Sequence, residues 1–230
     1  MVFYAMMPSH GMIDFDRLIE QHLKRESYPK TPGRYYPSEI GGCMRKIWFS
    51  YKQPVAPQAD TVRIFHLGNM IHSFIAEVLM SDKTPEVELV QSEVPVKMTF
   101  GDITVSGRID DLMRVKAEGK EYLLEVKSTK WLGRQNEPSP IHMMQLQLYM
   151  HAQGVPRGIL LYMEKNTLKS KSFEVAYEPD MANAAIERFK KLHAHVRDNS
   201  MPPAEAMAGD GTRWMCDYCN YRGVCEKAGA

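Results

Sequence analysis

The stretch YLLEVKSTK, residues 122–130, sets Glu125 and Lys127 one residue apart in a run whose neighbours, Leu123, Leu124 and Val126, are built for burial. Strand side chains alternate in direction, so Glu125 and Lys127 share one face while Leu124 and Val126 point to the other. A Glu-x-Lys pair is weak evidence alone, because EGK at 118–120 repeats it in what must be a turn. Taken alone, such a pattern is more simply read as a solvated cross-strand ion pair.

The preceding run, VSGRIDDL at 105–112, gives the pair a context. Gly107 allows another backbone to approach closely, and Asp110, three residues on, can then lie beside Glu125. Two buried carboxylates repel each other and resist desolvation unless a cation joins them, so the convergence argues for a hard divalent metal. Asp111 is expected to point the other way, as a surface charge.

Upstream, TVRIFHLGNMIHSFIAEVLM (61–80) carries Ile64, Leu67, Ile71, Phe74, Ile75 and Val78 at helical spacing, with Asp60 or Thr61 able to cap its start. His72 falls on or beside that apolar stripe. A lone histidine there is ordinarily a hydrogen-bonded core residue, but an imidazole added to two carboxylates suits Mn²⁺ better than Mg²⁺. His10, His22, His66, His142, His151, His193 and His195 have no comparable setting. In QLQLY (145–149), Gln145 and Tyr149 stand at i and i+4 on one helical face and can reach one site together.

The segments 87–98, 103–115 and 121–129 are rich in Val, Ile and Leu and separated by Gly-containing turns, which predicts an antiparallel meander. A helix over 139–154, strands near 157–163 and 171–177, and a last helix over 180–198 complete an α/β plan with one central mixed sheet. At 230 residues the chain suits one domain, 1–230, with a core that needs no disulfides. Its hydrophobic fraction of 44%, with 25% charged residues and no long apolar run, excludes a membrane-spanning protein. The opening MVFYAMMPSH lacks the features of a secretory signal, so a cytoplasmic location is expected. A net charge of +1 gives no global pull toward nucleic acid, so any polyanion must meet a local basic surface.

Near the C-terminus, CDYCNYRGVC (216–225) gives three cysteines at a spacing that one loop can wrap around a metal. Cys43, in GGCMRKIWF, is the remaining cysteine and completes a set of four. Such a metal would join the regions 31–52 and 200–230; closing about 173 residues of chain removes about 5 kcal/mol of unfolded-state freedom, so metal loss should loosen both ends. Spacing alone leaves zinc and an iron-sulfur cluster equally open. Trp214, Tyr218 and Tyr221 shield the metal, stack on the bases of a single strand, or do both. Arg45, Lys46, Arg213 and Arg222 either offset cluster charge or touch phosphates.

Taken in order, Cys43, His72, Asp110, Glu125 with Lys127, Gln145 with Tyr149, and Cys216, Cys219 and Cys225 resemble the pattern of the CRISPR-associated RecB-like exonucleases, within the PD-(D/E)xK nuclease superfamily. The likeness runs from Cys43 to Cys225 through LGNMIH, GRID, EVK and QLQLY. It implies a restriction-endonuclease-like core, with Mn²⁺ or Mg²⁺ held by His72, Asp110, Glu125 and the backbone carbonyl of Val126. Lys127, Gln145 and Tyr149 complete the implied catalytic set. It favours a four-iron four-sulfur cluster on Cys43, Cys216, Cys219 and Cys225. Such proteins act on single-stranded DNA, and some process spacers with CRISPR integrase proteins. No Pro-Asp dipeptide precedes the Glu-x-Lys strand; Asp110 fills the place. Two rivals keep the same residues: a non-catalytic DNA-binding adaptor in an integration complex, and a phage or repair recombination exonuclease.

Overall fold

The computed structural model describes residues 13–24, 28–209 and 211–229. The opening segment 1–10, read above for a secretory signal, and with it His10, lie outside these residues. Among the described residues no helix is long and apolar enough to cross a membrane.

The elements in order are α1 (Phe15–Leu23), β1 (Arg34–Tyr35), α2 (Pro37–Ile40), α3 (Met44–Lys52), α4 (Ala59–Met80), β2 (Val87–Phe100), β3 (Ile103–Val115) and β4 (Lys120–Thr129). After a short 3₁₀ turn come α5 (Pro140–Gln153), β5 (Arg157–Glu164), β6 (Ser170–Ala176), α6 (Pro179–Arg197), α7 (Glu205–Ala208), α8 (Trp214–Asp217) and α9 (Arg222–Lys227). The expected meander forms: β2, β3 and β4 pair antiparallel, and the turns between them place Gly101 and Gly119 at φ of 63° and 66°, a region open to glycine. β5 returns parallel to β4 through α5, and β6 closes the sheet antiparallel. The α/β class with a central mixed sheet is therefore the one expected.

One sheet edge positions the site. β2 pairs with β3 along almost its whole length, from Val87↔Val115 to Phe100↔Ile103, and occupies one edge of it. β1 pairs at Arg34↔Thr104 and Tyr35↔Val105, and β4 from Asp111↔Leu124 to Val115↔Lys120, so both use the other edge. Between them, residues 106–110 have no strand partner on that edge, and β3 and β4 part as a fork.

Three apolar clusters flank the sheet. Ile71, Ile75 and Leu79 of α4 pack on Met113, Tyr122, Leu124 and Val126. Leu146, Tyr149 and Met150 of α5 pack on the other face, against Ile109, Leu123 and Leu160. A third cluster joins Tyr35, Ile47 and Phe49 to Phe189, Leu192 and Val196 of α6.

Several expectations need correction. α4 begins at Ala59, with Gln58 in the cap position and no side-chain cap bond, so neither Asp60 nor Thr61 caps it. Its buried line is Val62, Ile71, Ile75 and Leu79, whereas Ile64, Leu67 and Phe74 are exposed: the sheet packs on Ile71, Ile75 and Leu79 and leaves the rest of the apolar stripe, Phe74 included, outside that contact. Asp111 is buried rather than a surface charge. It lies directly opposite Leu124 and so shares the face that packs under α4. Alternation is interrupted at Asp110, where Ser92↔Asp111 and Val94↔Ile109 flank Glu93 at a φ of 50°. Finally, Gly107 admits side chains, not a backbone: a Cβ there would lie 3.1 Å from the Pro37 ring and 3.2 Å from the Tyr149 hydroxyl.

A tighter constraint binds α2 to α5. A Cβ on Gly41 would fall 2.7 Å from the Ile141 Cα and 2.8 Å from its carbonyl oxygen, and backbone cannot yield as a side chain does. Gly41→Ala is expected to cost about 1–3 kcal/mol by overpacking, read as a lower urea midpoint; an unchanged midpoint would show that the two helices do not meet this closely.

Candidate active site and cysteine cluster

The fork gathers side chains from β3, β4, α4 and α5. Asp110 Oδ2 accepts the Val126 N–H at 2.7 Å, which replaces the ladder bond lost where β3 and β4 separate. Its other oxygen lies 3.1 Å from His72 Nδ1 on α4. An extended residue presents its N–H and C=O to the same side, so the Val126 carbonyl also faces the fork.

Glu125 projects to the α5 side. Its Oε1 accepts from Lys127 Nζ at 2.6 Å and from Gln145 Nε2 at 2.7 Å. Gln145 also takes a bond from Lys127 Nζ on its Oε1 at 3.0 Å and donates to the Tyr149 hydroxyl at 3.1 Å. The amide orientation follows from charge: its oxygen must face the ammonium and its NH₂ the carboxylate.

Burial pushes the Glu125 carboxyl well above the usual carboxylate range, against the pull of Lys127, and the nearby Asp110 adds to the rise. Burial pulls the Lys127 ammonium down, but Glu125 and Asp110 outweigh it and leave the pKa above its ordinary value. For His72, too, the loss of solvent lowers the pKa, and Asp110 reverses the sign. Tyr149 is driven up by burial and by Glu125, so it stays a phenol.

His72, Asp110, Glu125, Val126, Lys127, Gln145 and Tyr149 therefore meet at the fork. No three His, Cys, Asp or Glu side chains among the described residues are arranged to enclose an ion. The donor set nevertheless fits a divalent cation, because Glu125 Oε2 is buried without any hydrogen-bond partner and points a lone carboxylate oxygen at no donor. Asp111 Oδ1 is likewise buried and unpartnered, beside this site.

His142, set aside above as having no comparable setting, does stand beside this site. It sits three residues before Gln145 on α5, with Nδ1 2.9 Å from the Tyr162 hydroxyl, and Tyr162 stands opposite Lys127 in the β4–β5 pair. Burial, with Lys127 nearby, pushes its imidazole down to about 3, so it is neutral. Its i, i+3 spacing to Gln145 was the available signal.

The four cysteines carry no disulfide, and Cys43, Cys216, Cys219 and Cys225 line one cavity of about 50 Å³. Burial raises the Cys216 thiol, and the other three thiols raise it further, which places all four in electrostatic reach of one another. Four thiols on one cavity fit a structural metal or cluster by donor chemistry. Tyr221 is buried and stacks on Phe49 at 5.4 Å, whereas Trp214 and Tyr218 face outward.

The two cysteine-bearing segments are also joined by protein bonds. Arg188 of α6 donates to the carbonyls of Ile40 and Gly42, each at 3.0 Å, and grips both oxygens of Glu205 at 3.0 and 2.9 Å. Glu205 in turn accepts the Met44 N–H at 2.9 Å. Buried Arg45 donates to the Pro202 and Gly229 carbonyls, each at 2.7 Å, and to Cys225 Sγ at 3.6 Å. The ends of the chain are thus not left to a metal alone. Arg222 pairs with Asp217 and Glu226.

A parted β3–β4 edge with Asp110, Glu125 and Lys127 at the fork defines a nuclease-type core, and the chain belongs to the PD-(D/E)XK nuclease superfamily, whose family model matches residues 15–226. It is 23% identical over 209 residues to the CRISPR-associated exonuclease Cas4 of Saccharolobus solfataricus, across 90% of this chain and 93% of that protein. The crystal structure of SSO0001 superposes with a TM-score of 0.58 at 22% identity, covering 94% of this chain and 96% of that one, which shows the shared fold. An alkaline exonuclease, LHK-Exo, from Laribacter hongkongensis aligns with a TM-score of 0.46 at 9% identity, over 74% of this chain and 90% of that one.

The Arg188–Glu205 clasp gives a test. Burial raises the Glu205 carboxyl, but Arg188 and the Met44 N–H more than offset it and hold the pKa below the usual range. A depressed carboxylate contributes stability that is complete above its unfolded pKa and lost as pH falls through the folded value. Arg188→Ala should cost about 2 kcal/mol near neutrality, and urea melts between about pH 6 and pH 3 should show the gap to wild type narrowing. A gap that widens on acidification would contradict this pairing.

Proposed function

We propose that this chain is one nuclease domain that hydrolyses DNA phosphodiesters with a divalent metal, working as an exonuclease on single-stranded DNA or single-stranded ends. In this reading it acts in the cytoplasm on spacer precursors during CRISPR adaptation, alongside integrase proteins. The likeness to Cas4 over 90% of the chain supports the context. The observation that carries the chemistry is the buried Glu125, bound through one oxygen by Lys127 and Gln145 and unpartnered on the other.

Held by His72, Asp110, Glu125 and the Val126 carbonyl, Mn²⁺ or Mg²⁺ would supply neutralisation of the scissile phosphate and acidification of a water. Lys127 would orient the attacking water with its ammonium and offset charge on the phosphate as it builds. Gln145 fixes that ammonium through its amide oxygen, and Tyr149 fixes Gln145. The glutamate and lysine of the opening stretch thus have separate tasks, one toward the cation and one toward the water.

Cys43, Cys216, Cys219 and Cys225 would hold a four-iron four-sulfur cluster, in the subregion formed by about 31–52 and 200–230. Buried Arg45, donating to Cys225 Sγ, would balance part of its negative charge.

Lys127→Ala is expected to leave DNA binding near normal and lower cleavage at least about a hundredfold, measured on labelled single-stranded DNA with Mn²⁺ and, as the blank, EDTA. Undiminished turnover would remove Lys127 from the mechanism. Anaerobically purified protein should be brown with about four irons per chain; colourless protein rich in zinc would rule out the cluster.

A further inference from the structure

A groove of about 470 Å³ opens beside the cysteine region, between α3, α4, α5 and α8. Its walls include Lys46 of α3, Phe65 of α4, Ile141 of α5, and Trp214 and Tyr218 at the cysteine end. Phe65, Trp214 and Tyr218 are 52%, 53% and 78% exposed, an unusual loss of apolar burial for three large rings around one concavity. Tyr221, on the same groove wall, is by contrast buried and stacked on Phe49.

The groove and the fork share two helices, α4 and α5. Phe65 precedes His72 by seven residues, so the two project from nearly the same side of α4, about 10 Å apart along its axis. Ile141 precedes Gln145 by four, one turn away on the same side of α5, about 6 Å along that axis. Both helices that wall the fork therefore continue, toward their N-termini, as walls of the groove.

The occupant must offer flat apolar faces and negative charge together. The Lys46 ammonium has no ion-pair partner among the described residues, and the Glu39 carboxylate on the same wall is already paired with Lys30. Single-stranded nucleic acid meets both demands, since its unstacked bases can lie on aromatic rings while its phosphates meet a cation; a duplex hides its base faces. We infer that the groove binds the single strand between the fork and the cysteine region, with bases on Trp214, Tyr218 and Phe65 and a phosphate at Lys46. This rests on the reading of the chain as a DNA-cleaving enzyme, and it specifies where the uncut strand lies.

The test measures binding without cleavage: fluorescence anisotropy of a fluorescein-labelled thymidine 12-mer with the full chain in EDTA. Replacing both cysteine-end rings, Trp214→Ala with Tyr218→Ala, should weaken binding at least about tenfold, and Phe65→Ala alone about fivefold. Trp214→Phe, which keeps a ring, should bind close to wild type. If the double variant loses iron or fails to fold, Phe65→Ala decides alone, since Phe65 lies on α4 and does not line the cavity of the four cysteines. Variants that bind within twofold of wild type would overturn the inference and leave the groove to a protein partner, as would a wild type that binds a duplex as tightly as the single strand. A wild type that binds but does not cut would defeat the nuclease reading and spare the groove.

Discussion

Glu125 is buried in an apolar sheet, and a carboxylate so placed must take up a proton or find positive charge. The surrounding structure is arranged to serve it. Lys127, two residues on, reaches back to one oxygen, and Gln145 from the opposite layer binds both partners of the pair. The parting of β3 from β4 makes room for this arrangement, and Asp110 prevents the parting from stranding the Val126 amide. A continuous β3–β4 ladder would satisfy the backbone and leave no space for a substrate.

Much of the fold was legible because its signals are local. Val, Ile and Leu runs broken at Gly101 and Gly119 mark the meander, and Pro140 and Gly154 bracket α5. The errors arose where a neighbour, not a pattern, decides. Ile64, Leu67 and Phe74 have helical spacing yet remain exposed, because periodicity says that a face is apolar and not what covers it. Asp111 does take the face away from Glu125, opposite Leu124, but alternation names the face and not the helix that covers it, so its burial under α4 was missed.

At the candidate site, the residues were legible and their bonds were not. Spacing puts Glu125 with Lys127 and Gln145 with Tyr149 on shared faces, but the amide that ties the two pairs together depends on how α5 crosses the sheet. His142 was passed over because its partner, Tyr162, lies on a different strand. The cysteine region was readable as a donor set. The arginines that hold its halves together reach across more than half the chain, from Arg188 to Ile40 and from Arg45 to Gly229.

The contact of Gly41 with Ile141 also has a bearing on how such a chain can change over generations. The loop that presents Cys43 and the first turn of the helix that carries Gln145 meet so closely that the Ile141 backbone, and with it Cγ2, occupies the place of any side chain at Gly41. Bulk added to the loop would have to shift the helix start, and Gln145 lies one turn along. A bulkier residue in the one therefore requires an adjustment in the other, which ties the placement of Cys43 to that of Gln145 although no bond joins them.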